Sequence, residues 1–102
     1  MLSSQQSAWI HGFATTVVTI SGLWFGLSAI EWSLIIVVTI AVWTAEALNT
    51  AFEFLCDVAS PEFHPMVKNA KDVAAGAVLL SAVGAAVVGI LVFAPHVKEL
   101  LH

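Results

Sequence analysis

Apolar residues fill three long stretches of this chain with hardly a charge inside them. The first extends from the N-terminus to Ile30, with Phe13 to Ile30 its most apolar part, and the last runs from Val73 to Pro95. A helix needs about 20 apolar residues at roughly 1.5 Å each to cross the hydrocarbon core, so both stretches are long enough to span it. The middle stretch, Trp32 to Ala45, gives only about 21 Å of helix, short of a core of roughly 30 Å. Extension to Leu55 makes it long enough, and it then carries Glu46 to or inside the membrane boundary, with Glu53 about two turns further on. The pattern predicts spans over about 10–29, 32–56 and 70–94 in one membrane domain covering 1–102, with a loop at about 57–69.

The breaks between spans are legible. Ser28-Ala29-Ile30-Glu31-Trp32 predicts a short turn, and Ser60-Pro61-Glu62-Phe63-His64-Pro65 interrupts the next pair of spans with two prolines. Three antiparallel crossings place the N-terminus and the Asp57 to Asp72 segment on one side, with Glu31 and the C-terminus on the other. Lys68 and Lys71 on the first side outnumber Lys98 on the second, which assigns the first side to the cytoplasm. Trp24 and Trp32 fit an aromatic belt at the outer interface and Trp9 one at the inner, while Trp43 falls too deep. Gly22 and Gly26 form a GxxxG, and Ala77, Ser81, Ala85 and Gly89 recur every fourth residue, a spacing that lets helices approach closely in lipid. Three short spans have little room to bury such faces on themselves, which favours a homo-oligomer; the competing reading is ordinary small residues in an apolar helix.

Composition turns this pattern into a class. The 102 residues include 3 Lys, no Arg and 7 acids, and 60% are hydrophobic. Soluble domains carry about 25% charged residues, so a chain with 10% is read as an all-α integral membrane protein. A net charge of −4 without a basic run gives no footprint for nucleic acid. Cys56 is the sole cysteine, which excludes an internal disulfide and a cysteine-rich zinc site. Met1 to Ile10 lacks the basic n-region of a secretory signal, so the first apolar stretch reads as a retained helix.

The chemistry lies on the second span. Glu46, Asn49, Glu53 and Asp57 are spaced 3, 4 and 4 apart, which places them on one helix face. An ionised carboxylate is costly in hydrocarbon, so intramembrane acids face a protein interior or a watery cavity and are functional by default. Lys68, Lys71 and Asp72 follow the loop at the same boundary. Carboxylates with an amide can hold a divalent metal, and a lysine can neutralise phosphate oxygens, which are the parts phosphoryl transfer requires. The competing reading of Glu53, Asp57, Lys68 and Lys71 is a solvated interfacial collar that contributes little. Glu46, deeper in the helix, needs a partner. His64 is a shuttle or ligand, or a structural loop residue; His11, His96 and His102 form no cluster and read as interfacial. No P-loop, hydrolase elbow or zincin motif occurs.

Glu46-Ala-Leu-Asn-Thr-Ala-Phe-Glu53, then Asp57, Ser60-Pro-Glu-Phe-His-Pro65 and Lys71-Asp72-Val-Ala-Ala-Gly-Ala-Val78, resemble the signature of the prokaryotic diacylglycerol kinase and undecaprenol kinase family. The similarity extends from about Ile10 to Pro95, and Gly26-Leu-Ser-Ala-Ile-Glu-Trp32 looks more like the undecaprenol kinase branch. The resemblance implies a homotrimer of three-span subunits in the bacterial cytoplasmic membrane. Its sites would lie at the cytoplasmic boundary, shared between subunits, and would move the ATP γ-phosphate to the hydroxyl of undecaprenol or diacylglycerol. It also implies that Glu46 is the general base and that Asn49 orients the site. Glu53 would ligate Mg²⁺, and Lys71 would contact the ATP phosphates with Asp72 near the nucleotide or fixing Lys71. Asp57 and His64 would join the nucleotide site, and Ala75 would meet the lipid beside Glu46.

Two departures stand out. The chain starts late relative to the family, without its basic surface helix. The Glu of the element before the first span, a second metal ligand in the family, aligns with Gln5, and the basic residue of that element aligns with Trp9. Gln offers a carbonyl oxygen but no charge, so weaker metal binding and reduced activity are expected. Beside the lipid kinase stand a catalytically impaired relative acting as a membrane oligomer or lipid binder, a shortened version of a longer protein, and a small transporter relaying protons. Lys71-Asp72 and Asn49 favour nucleotide chemistry over a relay, and no inverted repeat is visible.

Overall fold

A computed structural model of the chain describes residues 4–62 and 64–102, with the backbone alone at positions 4, 5 and 7. Three helices follow in order, α1 (Ser4–Phe25), α2 (Ala29–Ala59) and α3 (Pro65–Leu100), and there is no strand among the described residues. All three are long and apolar enough to cross a membrane. They lie side by side in a rod of 58 × 21 × 17 Å. The 31-residue α2 is central, packing extensively on the 36-residue α3 and more lightly on the 22-residue α1.

The connections are tighter than the sequence pattern predicts. Helix α1 stops at Gly26, whose φ of +70° is a left-handed conformation that glycine adopts without a Cβ penalty. The Gly26 and Leu27 amides both donate to the Gly22 carbonyl, at 2.9 and 3.2 Å. Helix α2 then begins at Ala29 rather than after Trp32, because Ser28 and Glu31 form a capping box. The Glu31 amide donates to Ser28 Oγ at 3.2 Å and the Ser28 amide donates to Glu31 Oε1 at 3.0 Å. The turn expected over 28–32 is thus mostly the first turn of a helix. At the other junction His64 caps α3, its Nδ1 accepting from the Met66 amide at 3.1 Å, and Pro65 occupies the first helical position, where its missing N–H costs nothing. Helix α3 also continues through Pro95 to Leu100, past the end of the expected span.

Packing explains the glycine pair differently from a helix-dimer motif. Gly26 lies beyond α1, and Gly22 is buried against the indole of Trp32, where an added Cβ would come within 2.6 Å of Cη2. This contact belongs to a small core of Leu27, Ile35 and Val92, flanked by Val18, Phe25, Trp32, Val88 and Phe93, at the Gly26 end of the rod. His96 Nε2 reaches Glu31 Oε2 at 2.8 Å at the same end. At the loop end the buried side chains of α2 and α3 are Glu46, Asn49, Cys56, Ala75 and Val78. Elsewhere large apolar side chains stand outward, among them Phe13, Leu23, Val37, Phe54, Val73 and Leu80. In water that surface would aggregate, whereas against lipid tails, or against further copies of the subunit, it is the surface required.

Candidate functional site

Helical periodicity delivers what the 3, 4, 4 spacing predicts, graded by depth. Glu46 and Asn49 are buried, at 4% and 9% exposure, Glu53 is half-buried, and Asp57 stands out at the end of α2. Glu46 is the unusual member of this row. Its two carboxylate oxygens and Asn49 Oδ1 are buried without a hydrogen bond among the described residues. Buried acceptors without donors are rare in folded proteins, and they concentrate where a ligand or a reaction completes the set.

The group facing Glu46 comes from α1. His11 Nδ1 lies 3.2 Å from Glu46 Oε2, close enough for an ion pair but misaligned for a hydrogen bond, since Nδ1 is itself a buried atom without a bonded partner. Trp43 holds the histidine in place. Its ring meets the imidazole edge to face at 6.2 Å, and its Nε1 donates to Thr15 Oγ1 at 3.1 Å, while the Thr15 hydroxyl donates back to the His11 carbonyl at 2.7 Å. Trp43, too deep for an interfacial belt, has this interhelical contact as its role. His11 is the functional candidate that the sequence pattern misses, being read there as an interfacial histidine with no cluster. It lies far from Glu46 in sequence, and the one signal pointing to it is that an acid buried in a membrane span needs a partner.

An open groove of about 370 Å³ runs beside Glu46, lined by Trp43, Ala47, Thr50, Ala51 and Phe54. Its walls are apolar except for Glu46 and Thr50, and the Thr50 hydroxyl is occupied with the Glu46 carbonyl at 3.0 Å.

At the loop end the charges form two pairs. Lys71 Nζ lies 2.7 Å from Asp57 Oδ1, joining α3 to α2, and Lys68 Nζ lies 2.7 Å from Asp72 Oδ2 one turn along α3. Asp72 therefore does not fix Lys71; successive helical residues point about 100° apart, and Asp72 faces Lys68 instead. Ala75 is buried on α3, about a turn beyond Lys71. His64 commits its Nδ1 to capping α3. The Gln5 side chain lies outside the described residues, so its expected metal contact has no structural counterpart here. Among the described residues no group of three or more His, Cys, Asp or Glu side chains converges on one point.

The arrangement, then, is a buried carboxylate under an imidazole, beside an apolar groove, with lysines and further acids at the end of the same helices. The family model of prokaryotic diacylglycerol kinase matches residues 1–93. The chain belongs to that family. Within the prokaryotic diacylglycerol kinases it is 41% identical over 85 residues to the undecaprenol kinase of Bacillus subtilis (strain 168), an alignment covering 83% of this chain and 69% of that protein. It is 34% identical over 100 residues to the diacylglycerol kinase of Synechocystis sp. (strain ATCC 27184 / PCC 6803 / Kazusa), covering 97% of this chain and 57% of the relative. The chain thus spans little more than half of the second protein. No solved structure matches it.

Proposed function

We propose that this member of the prokaryotic diacylglycerol kinase family is a membrane lipid kinase that transfers the γ-phosphate of ATP to the primary hydroxyl of undecaprenol or diacylglycerol. The observation that carries the reading is Glu46: a buried carboxylate with no hydrogen bond to either oxygen among the described residues, beside an apolar groove. A lipid acceptor cannot bring its hydroxyl into bulk water, so the base that deprotonates it has to sit within the bilayer's reach. In that role Glu46 accepts the hydroxyl proton as the lipid oxygen bonds to the γ-phosphorus and the bond from phosphorus to the β,γ-bridging oxygen breaks. ADP leaves and the proton remains on Glu46 until it is released. Asn49, one turn along, offers an amide to orient the reacting groups, and the groove takes the acyl or prenyl chain beside the site, with Ala75 on α3 at the same level.

The water-facing substrate belongs at the loop end. Lys71, paired with Asp57, supplies positive charge to phosphate oxygens there, with Asp72 and the capping His64 on the same part of the chain. Mg²⁺ is a hard cation that keeps several waters and uses only one or two protein carboxylates together with substrate phosphates. Glu53, a half-buried oxygen donor between Glu46 and the lysines, fits that requirement without a larger protein cluster. When bound, the metal would neutralise phosphate charge during transfer. The lysine-bearing side is the cytoplasmic face of the bacterial inner membrane in this reading, and the outward apolar faces of the subunit are covered by two further copies in a homotrimer.

The test is a transfer assay with [γ-³²P]ATP and Mg²⁺ on the purified protein in mixed micelles, with undecaprenol and 1,2-diacylglycerol supplied separately. Label should move into the organic phase with at least one acceptor, and the preferred one names the substrate. If neither lipid is labelled while a known lipid kinase labels its own in parallel, the reading is wrong.

A further inference from the structure

His11 is the ionisable group that α1 contributes beside the site, and its Nδ1 lies 3.2 Å from Glu46 Oε2. A glutamate on a helix has several staggered rotamers open to it, and only some would present an oxygen to an acceptor hydroxyl. Of the other groups near Glu46, Trp43 Nε1 is engaged with Thr15 and the Thr50 hydroxyl with the Glu46 carbonyl, while Asn49 Oδ1 is an acceptor and cannot donate to the carboxylate. The imidazole, by contrast, is held by its edge contact with Trp43, while the hydrogen bonds from Trp43 Nε1 to Thr15 and from the Thr15 hydroxyl to the His11 carbonyl tie the backbone that carries it to α2. Its Nδ1 has no hydrogen-bond partner among the described residues. A ring so fixed, with its free nitrogen against one oxygen of a buried acid, is suited to hold that acid in one orientation.

We propose that His11 is a positioning residue for Glu46. Its Nδ1 engages Oε2 and selects the rotamer that leaves Oε1 for the lipid hydroxyl, and the pair aligns fully once substrate closes the site. Contacts of catalytic side chains are commonly long or poorly aligned before substrate binds and tighten in the complex. This rests on the kinase reading, and it adds α1 to the residues that control the rate. Because α1 packs lightly on α2, the link through Trp43 and Thr15 is what sets the geometry.

The test separates positioning from folding by isosteres. The amide nitrogen of Asn reaches about as far as His Nδ1, whereas that of Gln reaches nearer His Nε2. His11→Ala should lower kcat about 10- to 100-fold, the scale of a misplaced catalytic group, with KM for ATP within about twofold of wild type. His11→Asn should recover most of the turnover and His11→Gln little of it. Should His11→Ala fail to fold, the comparison of Asn with Gln carries the test, since both keep a polar side chain. Equal turnover in the Asn and Gln variants, or a loss seen in KM for ATP rather than in kcat, would overturn the positioning role while leaving the kinase reading intact. A wild-type chain inactive on both lipids would overturn the kinase reading and this role with it.

Discussion

Glu31 Oε2 and His96 Nε2, 65 residues apart, meet at 2.8 Å and tie the first turn of α2 to the end of α3. Glu31 does two things at once, since its other oxygen closes the capping box on the Ser28 amide. Glu31→Ala should therefore lower the thermal midpoint in detergent more than His96→Ala does. Glu31→Gln, which keeps the capping box, should fall between wild type and Glu31→Ala. Thermal unfolding followed by circular dichroism ranks the three. If His96→Ala is the most damaging, the contact across the rod outweighs the cap.

Glu46→Gln and Glu53→Gln should each remove lipid phosphorylation by different routes. Loss of the base lowers turnover by about 10²–10⁴-fold with nucleotide binding retained. Loss of the carboxylate assigned to the metal should raise the Mg²⁺ concentration needed for half-maximal rate and weaken nucleotide binding. Equilibrium binding of a fluorescent ATP analogue, measured beside the transfer rate, distinguishes them. A Glu46→Gln protein with wild-type turnover would remove that residue from the chemistry.

The row from Glu46 to Asp57 was legible because helical spacing alone puts these residues on one face, and the charge-poor composition alone makes a buried acid conspicuous. The three-helix architecture was legible for the same reason. What the pattern left unread is what joins separate helices. His11 meets Glu46 only because α1 folds back on α2, and a sequence offers no local rule for that. Lys71 reaches Asp57 rather than its neighbour Asp72 because side-chain direction on a helix, not adjacency, decides contact. The turn after Gly26 was misread for a smaller reason: Ser28-x-x-Glu31 has the spacing of a capping box, which makes Ser28 a helix start and not the first residue of a loop.

Gly22 makes a sharp packing prediction. Gly22→Ala puts a methyl group 2.6 Å from the Trp32 ring and 3.0 Å from Leu27 Cδ1, so one of them has to shift. Overpacking of this kind costs about 1–3 kcal/mol. A chemical or thermal unfolding series in detergent should register it as lower stability. A companion Trp32→Phe substitution, which shortens the ring system, should recover part of the loss. An Ala variant as stable as wild type would mean that α1 slides freely on α2 at this end.

Gln5 offers a gain-of-function test. A carboxylate binds Mg²⁺ more strongly than a neutral amide, because full charge offsets the cost of dehydrating the ion. Gln5→Glu should lower the Mg²⁺ concentration for half-maximal rate and raise turnover. In a Glu53→Gln background the gain should vanish, since two residues addressing one ion couple strongly. Simple additivity in the double variant would separate Gln5 from the metal, and an unchanged Mg²⁺ dependence in the single one would do the same.

The unequal lengths of the helices bear on where a site for a water-soluble nucleotide can be built at all. At about 1.5 Å per residue, the 31 residues of α2 and 36 of α3 measure about 46 and 54 Å, well beyond a hydrocarbon slab of roughly 30 Å. Unless they tilt steeply, both rods emerge from the bilayer still wound, and the ends joined by the loop bear Asp57, Lys68, Lys71 and Asp72. The loop ends of these two helices thereby form a rigid platform in water. Atoms in the lipid and atoms in the water beyond it are fixed to the same two pieces of helix, so the distance between a greasy acceptor and a polar donor is set by helical pitch rather than by a hinge.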